Sequence, residues 1–220
     1  MKRILLLMLP LLLMLVGCVH VPPRDYSKFE AAKPTSILIV PVVNESVEVT
    51  APDYFLSTVS VPLAELGYYV FPVNLVKRML EDEGMSDATL VHNAPAAKIC
   101  SLFGADSVLY VTITDWNAQY LVLTTTVNVG LKYAIKECKT GSTIWEHAQR
   151  MSYAPQGTNT GNPLGNVIAM AITAAVAKAA PDYVPLARQA NALTFYGNTV
   201  AVYRPGVGIP MGPYAATDEK

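Results

Sequence analysis

Residues 127–136 read VNVGLKYAIK, and this stretch decides the fold class of the 220-residue chain. Apolar side chains occupy every second position, namely Val127, Val129, Leu131, Tyr133 and Ile135. Small, polar or charged residues fill the positions between them. A period of two is typical of a β-strand with one face buried and the other exposed to water. The stretch therefore predicts a strand that packs one face on a core.

The neighbouring stretches predict two further strands. Residues 106–116 (DSVLYVTITDW) are rich in the β-branched and aromatic residues that favour strands. Residues 139–142 (KTGS) have the composition of a turn, and residues 143–149, which include Trp145, predict the strand that follows it. Because these strands follow one another with short connections, we expect the three to form a meander.

The first half of the chain predicts alternating strands and helices. Residues 36–43 (SILIVPVV) form a short apolar run, typical of a strand buried on both faces, and residues 68–71 predict a second short strand. Capping and periodicity predict helices over residues 50–67, 74–83 and 93–104. The order is then β-α-β-α-α-β-β-β. It predicts an α/β domain with a mixed sheet and helices packed on that sheet.

An extra C-terminal helix is predicted over residues 164–180, which are rich in alanine. Small residues recur at every fourth position along it, namely Gly165, Ala169, Thr173 and Ala177. Such a stripe lets another helix approach closely. It fits a helix packed on its own sheet, which we favour, and it also fits a self-association surface.

The first eighteen residues predict export and lipid attachment. Lys2 and Arg3 precede an apolar stretch, residues 4–16, that is too short to span a bilayer comfortably. Gly17 and Cys18 follow directly. This arrangement resembles the lipobox of bacterial lipoproteins, in which the cysteine is acylated and becomes the first mature residue. We therefore expect lipidation at Cys18, which anchors the protein to a membrane.

The expected membrane is the outer membrane, with the protein facing the periplasm. Many lipoproteins of Gram-negative bacteria that stay in the inner membrane have Asp after the lipidated cysteine, and Val19 stands here instead. The predicted division is a signal peptide (1–17), a lipidated tether (18–34), a periplasmic α/β domain with the C-terminal helix (35–200) and an extended tail (201–220).

Two further cysteines, Cys100 and Cys138, would lie in an oxidising compartment, where a disulfide is permitted. Both could equally be buried as small apolar residues. The sequence leaves these two alternatives open.

Candidates for catalysis or metal binding are few. His20 lies in the predicted tether, His92 in a loop before a helix, and His147 in a strand beside Glu146. Adjacent strand residues point to opposite faces, so His147 and Glu146 cannot pair directly. The chain contains none of the zinc-protease, Cys-x-x-Cys, nucleophile-elbow or P-loop motifs. We therefore expect no enzymatic activity, no metal and no cofactor.

The charge balance argues against nucleic acid as a partner. The net charge is −1, and no cluster of Lys and Arg interleaved with aromatic residues is visible. Nucleic-acid-binding surfaces need such a basic cluster to contact phosphates.

Three short segments resemble a known group of proteins. Residues 104–110 (GADSVLY) look like the helix-to-strand junction of the domain shared by curli-secretion lipoproteins and the TolB N-terminus. Residues 140–145 (TGSTIW) look like the hairpin turn and last strand of that domain. Together with residues 181–187 (PDYVPLA), they make the chain from about 34 to 200 resemble the genome-derived neisserial antigen lipoproteins.

The resemblance implies a TolB-like fold without established enzymatic activity, in a dimer-forming component of an envelope assembly or transport system. The expected partners are the membrane, through the lipid anchor, and a second copy (a homodimer) or other envelope proteins.

Two alternative functions remain. A secretion pore would need membrane strands, and residues 109–137 are long enough to supply them. An activator of a cell-wall synthase would need a long tether, whereas residues 19–35 reach only about 50 Å even as polyproline II.

Overall fold

The computed structural model describes residues 24–121, 124–153, 183–197 and 205–215. Within these ranges the strands are β1 (Ser36–Ile39), β2 (Val43–Asn44), β3 (Tyr69–Val70), β4 (Ser107–Leu121), β5 (Thr124–Glu137) and β6 (Thr143–Tyr153). The helices are α1 (Ser27–Ala32), α2 (Ala51–Glu65), α3 (Val73–Asp82), α4 (Ala88–Asn93), α5 (Ala96–Ser101) and α6 (Val184–Tyr196).

The six strands form one mixed sheet in the order β3-β1-β4-β5-β6, with β2 also paired to β4. β1 runs parallel to β3 and to β4, and β2 runs parallel to β4. β4, β5 and β6 are antiparallel neighbours, which is the predicted meander. The predicted α/β class, with a mixed sheet and helices packed on it, is confirmed.

The alternating apolar side chains of β5 line the larger core. Tyr133 and Ile135 lie in one buried cluster with Phe55 of α2 and Phe195 of α6. Inside this cluster the Tyr133 hydroxyl donates to Asn191 Oδ1 at 2.7 Å. Asn191 Nδ2 in turn donates to Thr58 Oγ1 at 3.0 Å. These bonds join β5, α6 and α2 at a fixed register, and burial raises the pKa of Tyr133.

The other face of the sheet carries a smaller core under α3, α4 and α5. Its buried members are Leu38, Val40, Val76, Leu80, Val91, Ala96, Ile99, Cys100, Val108, Tyr110 and Cys138. A disulfide joins Cys100 of α5 to Cys138, just beyond β5, with the two Cα atoms 5.8 Å apart. Both cysteines are buried, so the bond connects α5 to the sheet from inside this core.

Local details differ from the sequence predictions. The apolar run 36–43 forms two strands, because Pro41 between them has no N–H to donate to a neighbouring strand. A short helix, α4, precedes the predicted third helix and begins where the Asp87 carboxylate accepts hydrogen bonds from Thr89 N–H and Leu90 N–H. The periodicity of residues 74–83 places Leu75 with Val76, Met79 and Leu80 on the apolar side of α3, yet Leu75 is 54% exposed.

The segments predicted as tether and tail contribute to the packing of the domain. Phe29 of α1 is buried against Tyr68, with ring centroids 6.3 Å apart. Ile209 is fully buried, and Gly212 N–H donates to Leu66 O at 2.7 Å. Residues 24–34 and 205–215 are held against the core because each segment buries an apolar side chain in it. Within the described ranges, then, neither segment extends freely from the domain.

We expect alanine at both Cys100 and Cys138 to lower the free energy of unfolding. The bond closes a loop with a sequence separation of 38. Loop-closure entropy assigns about 3–4 kcal/mol to a cross-link of that length. Urea unfolding of the variant and of the wild type measures the difference.

Wild-type protein unfolded with a reductant should match the alanine variant. If reductant and substitution both leave the unfolding midpoint unchanged, the two cysteines are not bonded in the protein.

Candidate functional site

The sheet separates the two histidines that the structure describes. His92 lies on α4, where its Nε2–H donates to the Pro41 carbonyl oxygen at 3.0 Å and its ring packs edge-on against Tyr110. Tyr110 belongs to the smaller core. His147 of β6 pairs with Tyr133 of β5, which belongs to the larger core. Burial lowers the pKa of His92, so it packs as a neutral side chain. The two rings therefore do not form a joint site.

His147 binds the start of the N-terminal segment. Arg24 Nη2 lies 2.8 Å from His147 Nδ1, and the guanidinium carbon lies 5.0 Å from the centroid of the Trp145 ring. Arginine can only donate, so Nδ1 accepts and the ring proton sits on Nε2, facing Gln149 Oε1 at 3.4 Å. Burial is the main cause that lowers the pKa of His147, and the nearby Arg24 charge lowers it further. The neutral histidine thus holds Arg24 against β6.

Further contacts continue this attachment along the chain. The Tyr26 hydroxyl donates to the Gly208 carbonyl oxygen at 2.5 Å, and Phe29 is buried in the larger core. We call Arg24, Tyr26 and Phe29, with the groups they contact, the N-terminal clasp. It fixes residues 24–29 to the body of the domain.

One face of β5 and β6 is open to solvent. Its exposed side chains are Lys132, Glu146, Ala148, Arg150 and Ser152, which we call the open face. Glu146 pairs with Ala134, on the side of the sheet opposite His147, as expected from the alternation of strand residues. Charges of both signs alternate here with small side chains. Such a flat, mixed surface suits a protein partner better than a small molecule, which needs a concave pocket.

A row of polar side chains borders the open face towards the far end of the meander. Ser152 Oγ donates to Asn128 Oδ1 at 2.6 Å, and Asn128 Nδ2 donates to Asn117 Oδ1 at 3.0 Å. Asn117 Nδ2 donates to the Asp115 carboxylate. These bonds cross three strands, so they hold this end of the meander in register.

Several residues predicted from sequence lie outside the described residues. They are Cys18, His20 and the small-residue stripe Gly165, Ala169, Thr173 and Ala177. In the part of the chain that the structure describes, no group of three His, Cys, Asp or Glu could hold a metal ion. Within the same ranges, no helix combines the length and the apolar character that crossing a bilayer requires.

The clasp was not visible in the sequence. Arg24 and His147 are 123 positions apart, so only the tertiary structure brings them together. The open face could be predicted in part from the sequence, because polar residues alternate with the apolar residues of β5. Its exposure depends on where the helices of the smaller core end, which periodicity does not reveal.

We expect acidification below about pH 6.5, the pKa of an unperturbed histidine, to weaken the clasp. The folded protein has a lowered pKa at His147, so the unfolded chain takes up the proton first and the free energy of unfolding falls as the pH drops from that value. Protonation also removes the lone pair that accepts from Arg24. Urea unfolding over a pH series measures this slope.

A His147→Gln variant is the control, because it has no group that titrates at this position. The buried His92 remains in both proteins and contributes the same slope to each. Equal slopes in the two proteins would contradict a role for His147 in the pH dependence.

Comparison with known proteins identifies the family. The model of the family described as "Putative lipoprotein GNA1162-like" matches residues 24–204. A curated relative from Neisseria meningitidis serogroup B (strain ATCC BAA-335 / MC58), described as "Putative lipoprotein NMB1124/NMB1162", is 33% identical over 140 residues. That match covers 64% of this chain and spans 65% of the relative's length.

One solved structure agrees with this assignment. The crystal structure of lipoprotein GNA1162 from Neisseria meningitidis is 31% identical, with a TM-score of 0.54, and the match covers 68% of this chain and all of that one. A PelC dodecamer from Paraburkholderia phytofirmans is 14% identical with a TM-score of 0.43, over 71% of this chain and 95% of that one, and nothing about function follows from it. The family resemblance seen in the sequence is confirmed, and the chain belongs to the GNA1162-like lipoprotein family.

Proposed function

We propose that this protein is a non-enzymatic lipoprotein, held on the outer membrane by lipid on Cys18, that assembles with other envelope proteins on the periplasmic side. Membership of a lipoprotein family supports the anchor. So does the placement of Gly17 and Cys18 directly after a short apolar stretch. Val19, at the position where Asp favours the inner membrane, supports the outer membrane.

The N-terminal clasp is the observation that carries this proposal. Arg24 is bound to His147 and Trp145, and it lies only six positions after Cys18. Six residues span at most about 20 Å, whatever their conformation. A lipid on Cys18 would therefore hold this edge of the domain close to the membrane. A protein held in this way is suited to gathering partners at the membrane surface.

The same distance weighs against the activator of a cell-wall synthase. That function needs a domain that reaches away from its membrane on a long flexible segment. Residues 24–34 cannot supply the length, because Tyr26 and Phe29 are fixed to the domain.

Burial within the meander weighs against the secretion pore. Trp116 of β4 and Val129 of β5 are fully buried, and the Trp116 ring packs on Tyr183 beside α6 at 5.3 Å between centroids. A strand that crosses a bilayer must turn its apolar face to lipid. In the described part of these strands, that face is already covered by the core of the domain.

The open face is the surface that we assign to binding. It lies on two long strands, it is exposed, and the polar row at its border holds it in shape. A second copy is one candidate partner, since the family resemblance led us to expect a dimer. Another envelope protein is the other candidate.

Replacing Cys18 with Ser tests the anchor. We expect the variant to lose incorporation of a labelled fatty acid and to keep its signal peptide, because acylation precedes cleavage in lipoproteins of this type. Metabolic labelling and gel mobility of the variant and the wild type give the readout. Labelling of the Cys18→Ser protein at the wild-type level would contradict lipidation at this residue.

Photocrosslinking in intact envelopes tests the binding surface. A benzophenone amino acid at Ala148, in the centre of the open face, should form adducts with a partner or a second copy. The matched control is the same substitution at Ala97, an exposed alanine on α5. Adducts at both positions, or at neither, would count against the open face as the binding surface.

A further inference from the structure

We propose that residues 205–215 form a second contact with the membrane, made by apolar side chains in addition to the lipid anchor. This proposal rests on the proposed lipid attachment at Cys18, which brings the membrane close to this part of the domain. It concerns a different surface from the open face and a different kind of partner, a lipid bilayer.

The segment displays apolar side chains to solvent. Its sequence, PGVGIPMGPYA, contains no charged residue. Val207, Met211 and Tyr214 are 50%, 48% and 69% exposed, respectively. Isolated exposed apolar residues are ordinary, whereas several together on one uncharged segment are typical of an interaction surface.

The backbone of the segment is fixed, so this exposure is a property of the fold. Ile209 is buried and its N–H donates to Phe195 O at 3.1 Å. Tyr214 N–H donates to Gly67 O at 3.0 Å. With these anchors in place, Met211 between them cannot turn inwards into a core that Ile209 already occupies.

Two glycines let the segment lie flat on the domain. A Cβ atom at Gly208 would collide with the carbonyl oxygen of Phe195, and one at Gly212 would collide with that of Gly67. The main chain therefore contacts the domain directly, while Val207, Met211 and Tyr214 keep their side chains exposed.

A shallow groove of about 420 Å³ adjoins the exposed side chains. Its lining includes Phe29, Tyr68, Pro210 and Met211, and one acid (Glu30) and one base (Lys33) stand beside them. The lining has no net charge, so a partner would be bound by apolar contact. A hydrocarbon surface meets this requirement, and screening by salt should affect such a contact little.

The position of the N-terminal clasp favours the lipid bilayer as the partner of residues 205–215. Tyr26 contacts Gly208 inside the segment, and it lies eight positions after Cys18. Eight residues reach at most about 28 Å, so the acyl chains on Cys18 would enter the bilayer close to this patch. Tyrosine is favoured at the interface between headgroups and hydrocarbon, which fits the exposed Tyr214. The bilayer that holds the lipid is thus the nearest apolar surface.

Fluorescent probes on the full-length lipidated protein test this contact. Met211→Cys and Tyr214→Cys are labelled with a polarity-sensitive dye in vesicles of phosphatidylethanolamine with some phosphatidylglycerol. Cys100 and Cys138 are buried in their disulfide, so they do not compete for the dye. The control is Val47→Cys, because Val47 is 92% exposed and follows β2 towards the far end of the sheet.

We expect brominated lipids to quench the probes at 211 and 214 several-fold more than the probe at 47, at low and at high salt. Equal quenching at all three positions would overturn the proposal. A blue-shifted emission that grows with protein concentration, without quenching by brominated lipid, would also overturn it and would indicate a second copy on this patch. Failure of the anchor itself looks different, because the protein would then not float with the vesicles at all.

A second variant tests whether Met211 itself contacts lipid when the dye is attached at position 214. Met211→Asp places a charge on the patch without disturbing buried atoms, so it should reduce quenching at 214 in the otherwise identical protein. Leu75→Asp, at a similarly exposed leucine on α3, should leave that quenching unchanged. If the two aspartates have the same effect on quenching at 214, Met211 does not contact lipid.

Discussion

Burial of β4 on both of its faces is the constraint on which the structure depends. β4 lies between β1 and β5, with Leu109 and Val111 in the larger core and Val108 and Tyr110 in the smaller one. A strand in this position needs helices on each side of the sheet. The first half of the chain provides α2 on one side and α3, α4 and α5 on the other, and α6 completes the larger core. β5 and β6 extend beyond the smaller core, which leaves the open face.

The sequence predicted the parts of the fold that local patterns control. The period of two in β5 and the apolar run at β1 both identify strands that lie within a few residues of their predicted bounds. Packing of residues 24–34 and 205–215 was missed for a physical reason. Their contacts join distant residues, as when Tyr26 meets Gly208, 182 positions away. Proline and glycine in the second segment indicate turns, but they do not reveal which surface those turns contact.

The same distinction applies to the candidate sites. Strand alternation was enough to separate His147 from Glu146, because that relation is local. It could not show that His147 accepts from Arg24, because that contact joins residues 123 positions apart. Likewise, two cysteines in an oxidising compartment permit a bond, but the register that brings Cys100 beside Cys138 is set by the packing of α5. Residue types indicated the possible chemistry, and long-range packing decided which contacts form.

The described residues give the domain two different ends. The clasp contacts β6 at His147, whereas the polar row reaches β6 at Ser152, about 16 Å further along the strand at about 3.3 Å per residue. An anchor at the clasp leaves the polar row accessible to proteins in the periplasm, and also the open face, which lies on the side of the sheet opposite His147. Two membrane contacts would also restrict rotation about the tether, which a single lipid attachment cannot do. Binding would then occur at a defined height and orientation, which favours assembly of partners over capture of freely diffusing ligands.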